Sequence, residues 1–194
     1  MTVQHSRVTS DFSGQLPEDL DRLIEALDDL PTVTPDAAQA LLDDFQGDLD
    51  ARKLARTSPE GFCRLVLGST DTFEIILIGW RPGQVSPVHG HGESDCGFRI
   101  IQGEACERRF ETRSGEGLVC TGEDRYPAGQ VIGAHPGSIH AMGNAADAET
   151  DLVTLHIYSP PLAAKMYADE DALAEAKAVA MLTQDDADSA SNAA

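Results

Sequence analysis

Basic residues are scarce in this chain: 14 Lys and Arg stand against 33 Asp and Glu among 194 residues, a formal charge of −19. Such a surface repels nucleic-acid phosphates and anionic membranes, so neither is expected as a partner. The acids are spread along the chain and concentrate in its helical ends, which reads as a solvated face rather than a site for a basic partner. Long apolar runs are also missing. The longest, Phe73 to Trp80, falls far short of a membrane span. The opening MTVQHSRVTSDFSGQ has no continuous apolar segment of the kind a secretory signal needs, so a cytoplasmic location is expected. The four cysteines, Cys63, Cys96, Cys106 and Cys120, show no C-x-x-C spacing, which argues against zinc knuckles and structural disulfides. No repeat and no internal linker is visible. At 41% hydrophobic, the chain can form one domain with a substantial core.

Three zones follow along the chain. Residues 1–60 read as a helical region: Leu20, Leu23, Ile24, Leu27 and Leu30 mark one helix face, and Thr34-Pro35-Asp36 reads as an N-cap followed by proline in the first turn. Residues 61–168 are β-rich. Segments 62–67, 72–79, 97–102, 106–113, 130–134 and 151–158 are short, apolar or alternating, and separated by Gly, Pro, Asp and Ser clusters. This pattern predicts a mainly β fold, an antiparallel sandwich or barrel, packed by the N-terminal helices. Residues 169–194 read as a short C-terminal helix, Asp169 to Met181, and a polar tail.

Histidines carry the chemistry. His89 and His91 flank one glycine in Pro87-Val88-His89-Gly90-His91-Gly92, and His140 closes Pro136-Gly137-Ser138-Ile139-His140. Residues i and i+2 of a strand share a face, so His89 and His91 can offer two imidazoles to one ion while His140 comes from another strand. Three neutral ligands leave coordination positions open, as a catalytic metal site requires. By ligand chemistry alone the metal can be zinc or iron.

The short strands with these motifs resemble the cupin superfamily. Gly83, His89 and His91 match a G-x5-H-x-H motif, with Asp95 at the position of its acidic ligand, and Gly137, His140 and Asn144 match G-x2-H-x3-N. A sharper likeness comes from the ordered series Gly79-Trp80, His89-x-His91, Cys96, Gln102-Gly103 and Thr154-Leu155-His156-Ile157-Tyr158-Ser159-Pro160-Pro161. This series resembles the cysteine dioxygenase family of thiol dioxygenases. The resemblance implies a cupin β-sandwich and Fe(II) held by His89, His91 and His140, without a carboxylate ligand. It also implies O2-dependent oxidation of L-cysteine to cysteine sulfinic acid, with the thiol and O2 as the only small-molecule partners.

Further roles come from the same resemblance. Arg64 is the substrate-binding residue, its planar fork suited to a carboxylate. Thr154, His156 and Tyr158 form a hydrogen-bonded outer shell, with Thr154 where serine is usual and Tyr158 beside the metal. Cys96 stands where animal members carry a cysteine that becomes thioether-linked to the tyrosine, and the Ser159-Pro160 bond is expected to be cis. Phe62 replaces a tyrosine of the animal enzymes, and Gly90 a frequent aspartate. Two other readings remain open: a dioxygenase of another thiol acid, such as 3-mercaptopropionate or mercaptosuccinate, and a non-oxidative metal-binding cupin. A monomer is expected.

Overall fold

A computed structural model describes residues 8–167, so the helix expected over Asp169 to Met181 lies outside the described residues. Two sheets form the body. The first carries β1 (Val8–Asp11), β2 (Cys63–Ser69), β3 (Glu74–Trp80), β5 (Asp95–Gln102), β8 (Val131–Ala134) and β10 (Leu152–Ser159) in the order β1-β2-β3-β10-β5-β8. The second orders β11 (Lys165–Met166), β4 (His89–Gly90), β9 (Ile139–Asn144), β6 (Glu104–Arg113) and β7 (Gly117–Pro127) as β11-β4-β9-β6-β7. The fold is thus mainly β, as expected. Pairings are antiparallel except between β1 and β2, where a parallel strand arises within the zone read as helical.

The first sheet is buried on both faces, which explains why β3 is a continuous apolar run rather than an alternating one. Residues of one parity, including Leu65, Leu67, Ile75, Leu77, Leu155 and Ile157, pack under the helices. The opposite parity, including Phe62, Ile76, Ile78, Trp80, Cys96 and Tyr158, faces the second sheet. Period-2 geometry alone divides each strand this way.

Three helices cover the first sheet: α1 (Glu18–Asp28), α2 (Pro35–Asp44) and α3 (Asp48–Leu54). Leu20, Leu23 and Leu27 of α1 are buried, the face that their spacing predicts. The Thr34 hydroxyl accepts the Ala37 N–H at 3.2 Å with Pro35 in the first turn, so the cap read from sequence is formed. Arg99 of β5 clamps Asp48 at the start of α3 through two hydrogen bonds of 2.8 and 2.9 Å, docking that helix to the sheet.

The chain passes between sheets at Gly103, whose φ of +81° suits glycine and whose Cβ would press on the Asp151 carbonyl. It returns to the second sheet after β10 through a cis Ser159-Pro160 bond, the expected isomer. Among the described residues no helix is long and apolar enough to cross a membrane.

Candidate functional site

Cross-strand register assembles the histidines. His89 of β4 lies directly opposite His140 of β9, so their side chains share a face of the second sheet. His91 reaches them differently from the expected alternation. Strand β4 ends at Gly90, and His91 opens a turn closed by the Ser94 N–H donating to its carbonyl at 3.1 Å. The turn still aims the ring at its neighbours. The three rings sit with centroids 4.7 to 5.4 Å apart, and one ligand nitrogen from each lies within 4.8 Å of the others. Asp95, the acidic position of the general cupin motif, is not part of this group.

These residues fit a metal ion. The His89 Nδ1–H donates to the Pro87 carbonyl at 3.0 Å, which leaves its Nε2 lone pair for a ligand. His140 Nδ1 meets Glu107 Oε1 at 2.5 Å, again leaving Nε2 free, and that nitrogen faces His91 Nε2 at 3.0 Å. His91 is wholly buried, and its Nδ1 has no hydrogen-bond partner among the described residues. Burial, then the neighbouring His140 and His89, push its pKa down to about 3, so it stays a neutral imidazole, the form a metal accepts.

Glu107 and Tyr126 were not among the expected site residues. Glu107 follows Ala105 on the inward parity of β6, and an acid at a buried strand position is the signal that could have found it. Burial by itself would raise the Glu107 carboxyl, but hydrogen bonds from His140 and from Tyr126, at 2.8 Å, outweigh it and hold the group below its ordinary range. Burial and the adjacent Glu107 push the Tyr126 phenol up, so it remains a donor.

Facing the histidines, β10 presents Thr154, His156 and Tyr158 on one side, as the alternation requires. The Trp80 indole N–H, which can only donate, gives its hydrogen to Thr154 Oγ1 at 3.0 Å. Thr154 is fully buried and meets His156 Nε2 at 2.8 Å, so its own hydrogen goes to that nitrogen. Neutral His156 therefore carries its proton on Nδ1, which faces the Tyr158 oxygen at 3.3 Å. Burial, reinforced by His91, His140 and His89, pushes the His156 pKa down to about 3 and keeps the ring neutral. The Tyr158 phenol thus accepts from His156, and its ring stands edge-on to His91 at 5.3 Å.

Cys96 lies directly across from Tyr158 in the β5–β10 register and is buried. Burial pushes its thiol pKa up, outweighing the lowering influence of the neighbouring Tyr158 phenol, so the group stays protonated and is no ligand in that state. Arg64 lies in the same space. It lines a cavity of about 150 Å³ with His89, His140, His156, Tyr158 and Trp80. Glu74 stands 3.7 Å from the guanidinium, an ionic neighbour beyond hydrogen-bond reach. Phe62 stacks on Trp80 with centroids 4.4 Å apart, filling a wall without a hydroxyl. Leu162, Ala164 and Met166 alternate along the strap that closes the cavity beside β4. All eight site residues expected from sequence thus meet around one cavity or in the packing directly behind it.

The chain matches the sequence profile described as Cysteine dioxygenase type I over residues 10–170. It is 26% identical over 154 residues to cysteine dioxygenase type 1 of Danio rerio, covering 75% of this chain and 76% of that protein. It is also 26% identical over 149 residues to the enzyme of the same name from Homo sapiens, covering 74% of each. Among solved structures, TT1209 from Thermus thermophilus aligns at a TM-score of 0.48 with 25% identity, covering 58% of this chain and 95% of that one. With the matched profile spanning both the helices and the histidine-bearing sheets, the chain belongs to the cysteine dioxygenase type I family.

Proposed function

We propose that this protein is a thiol dioxygenase that uses Fe(II) to oxidise L-cysteine with O2 to cysteine sulfinic acid. One observation carries the reading: His89 and His140 of the three-histidine cluster and the buried Arg64 line one small cavity, so a short thiol carboxylate could meet both ends. Ferrous iron at the histidines would supply binding of the thiolate and activation of dioxygen. The protein's own part is positioning. Arg64 grips the carboxylate with its planar fork. Trp80, Thr154 and His156 set the direction of the hydrogen bonds so that Tyr158 offers its phenolic hydrogen. Phe62, Ile78, Met142 and the Leu162 strap supply the apolar lining that limits water.

Arg64 is the one cationic side chain among the described lining residues, which favours a monocarboxylate over mercaptosuccinate. The same lining holds no carboxylate to receive an ammonium, so 3-mercaptopropionate is the second reading. An oxygen electrode with the ferrous protein separates them. Expected is uptake of one O2 per thiol consumed, fastest with cysteine, slower with 3-mercaptopropionate and slowest with mercaptosuccinate. Stoichiometric zinc or nickel and no thiol-dependent uptake would instead mark a metal-binding module.

Cys96 and Tyr158 supply a second test. Directly opposed across the β5–β10 register, they would be joined by a thioether between Sγ and the phenol ring, formed during turnover with O2 as oxidant. Intact mass after many turnovers is expected to fall by about two daltons, since the bond replaces an S–H and a ring C–H. Cys96→Ser should abolish the shift and leave reduced activity, and an unchanged wild-type mass would reject the link.

A further inference from the structure

We propose that Glu107 is the positioning residue that makes His140 a ligand: its carboxylate holds the His140 proton on Nδ1, and Tyr126 holds the carboxylate. The inference rests on the reading of His140 as a metal ligand.

Register places the three groups. Glu107 of β6 lies opposite Met142 of β9, so on the same inward face His140 is its diagonal neighbour. On the other side Glu107 lies opposite Asp124 of β7, and Tyr126 is again the diagonal neighbour. A single carboxylate thereby joins the metal-ligand strand to the edge strand of the sheet. Its two oxygens are divided between them, Oε1 to His140 Nδ1 at 2.5 Å and Oε2 to the Tyr126 hydroxyl at 2.8 Å.

Donor and acceptor chemistry then fixes the imidazole. An ionised carboxylate only accepts, so the nitrogen it meets at this distance must carry hydrogen, and His140 Nε2 is left with its lone pair toward His91 and the cavity. His89 achieves the same state with a backbone carbonyl, a neutral acceptor. His91 has no such partner among the described residues. His140 is backed by a charge, and Glu107 is only 5% exposed, so that charge is little screened. A carboxylate behind a ligand imidazole orients the ring and raises its basicity toward a cation. Tyr126 completes the device by occupying the oxygen that would otherwise be free to rotate onto another donor.

The test uses the full chain freed of metal, with Co(II) alone as probe and with nitrogen-15 imidazole spectra of the metal-free protein. In the wild type His140 is expected as the Nδ1–H tautomer. In Glu107→Ala that preference should vanish, and Co(II) affinity by equilibrium dialysis should fall roughly 10- to 100-fold. Glu107→Gln keeps an acceptor oxygen without the charge and should recover the tautomer and part of the affinity. Tyr126→Phe should cost less than about tenfold. If Glu107→Ala does not fold, Glu107→Gln and Tyr126→Phe carry the comparison: weakened Co(II) binding in both supports the proposal, and affinities equal to wild type in both overturn it. A role confined to tying β6 to β7 would lower the unfolding temperature of Glu107→Ala while leaving tautomer and affinity unchanged, which also overturns it. Wild-type protein that takes up no Co(II) would remove the metal-site reading and this proposal together. Wild-type binding matched by Glu107→Ala would remove this proposal alone.

Discussion

His140→Ala is expected to lose most bound iron, as measured by metal analysis, and to bring thiol-dependent O2 uptake down to background. His140 is central to the cluster: its Nε2 faces His91, its strand position faces His89, and its Nδ1 holds Glu107. Removing the ring leaves two imidazoles, one on a strand and one in a turn, which do not define a site by themselves. It also leaves the Glu107 carboxylate buried with Tyr126 but without its histidine donor. Loss of an outer partner of a ligand costs roughly 10- to 100-fold in metal affinity or activity, and loss of the ligand should exceed that. Retained iron and rate would show that the three-histidine assignment is wrong.

For Arg64→Ala the expected result is a split between substrates. The Michaelis constant for cysteine should rise about 100-fold, equivalent to about 2.8 kcal/mol at about 1.4 kcal/mol per tenfold. That is the scale of two charge-assisted hydrogen bonds after their exchange with water. Cysteamine, which has the thiol and amine but no carboxylate, should change by less than about threefold. Glu74 sharpens the contrast, because the variant keeps that negative charge beside a cavity that has lost its cation. Steady-state kinetics on both thiols decides the matter; equal losses for the two would mean that Arg64 serves the sheet rather than the substrate.

The chain's local patterns reach far into the fold. Apolar spacing located α1, the Thr34-Pro35 pair located α2, and β2, β3, β5, β6, β8 and β10 all overlap segments legible as strands. The strands not read were hidden for different physical reasons. In β7, Cys120-Thr121-Gly122-Glu123-Asp124-Arg125 is polar and largely exposed, because an edge strand with water on its faces needs no apolar alternation. In β9, Ile139-His140-Ala141-Met142-Gly143-Asn144 is small and buried, and Gly143 is required there because a Cβ would run into the Gln84 carbonyl of the chain packed upon it. The parallel strand β1 exists only through its pairing with β2.

The site divides in the same way. Residue type and spacing marked the three histidines, and the family resemblance of the ordered motifs marked Arg64, Cys96 and the Thr154, His156 and Tyr158 series. Alternation along β10 was enough to put the last three on one face. Tertiary structure decided everything that depends on neighbours across strands: the turn that brings in His91, the opposition of Cys96 and Tyr158, Trp80 as the donor that orients the Thr154 hydroxyl, and Glu74 beside Arg64. It also decided Glu107, which in a strand full of Glu and Arg looks like surface charge, and Tyr126 on the neighbouring edge strand. Only the diagonal packing of β6 between β9 and β7 buries that one carboxylate against an imidazole and a phenol.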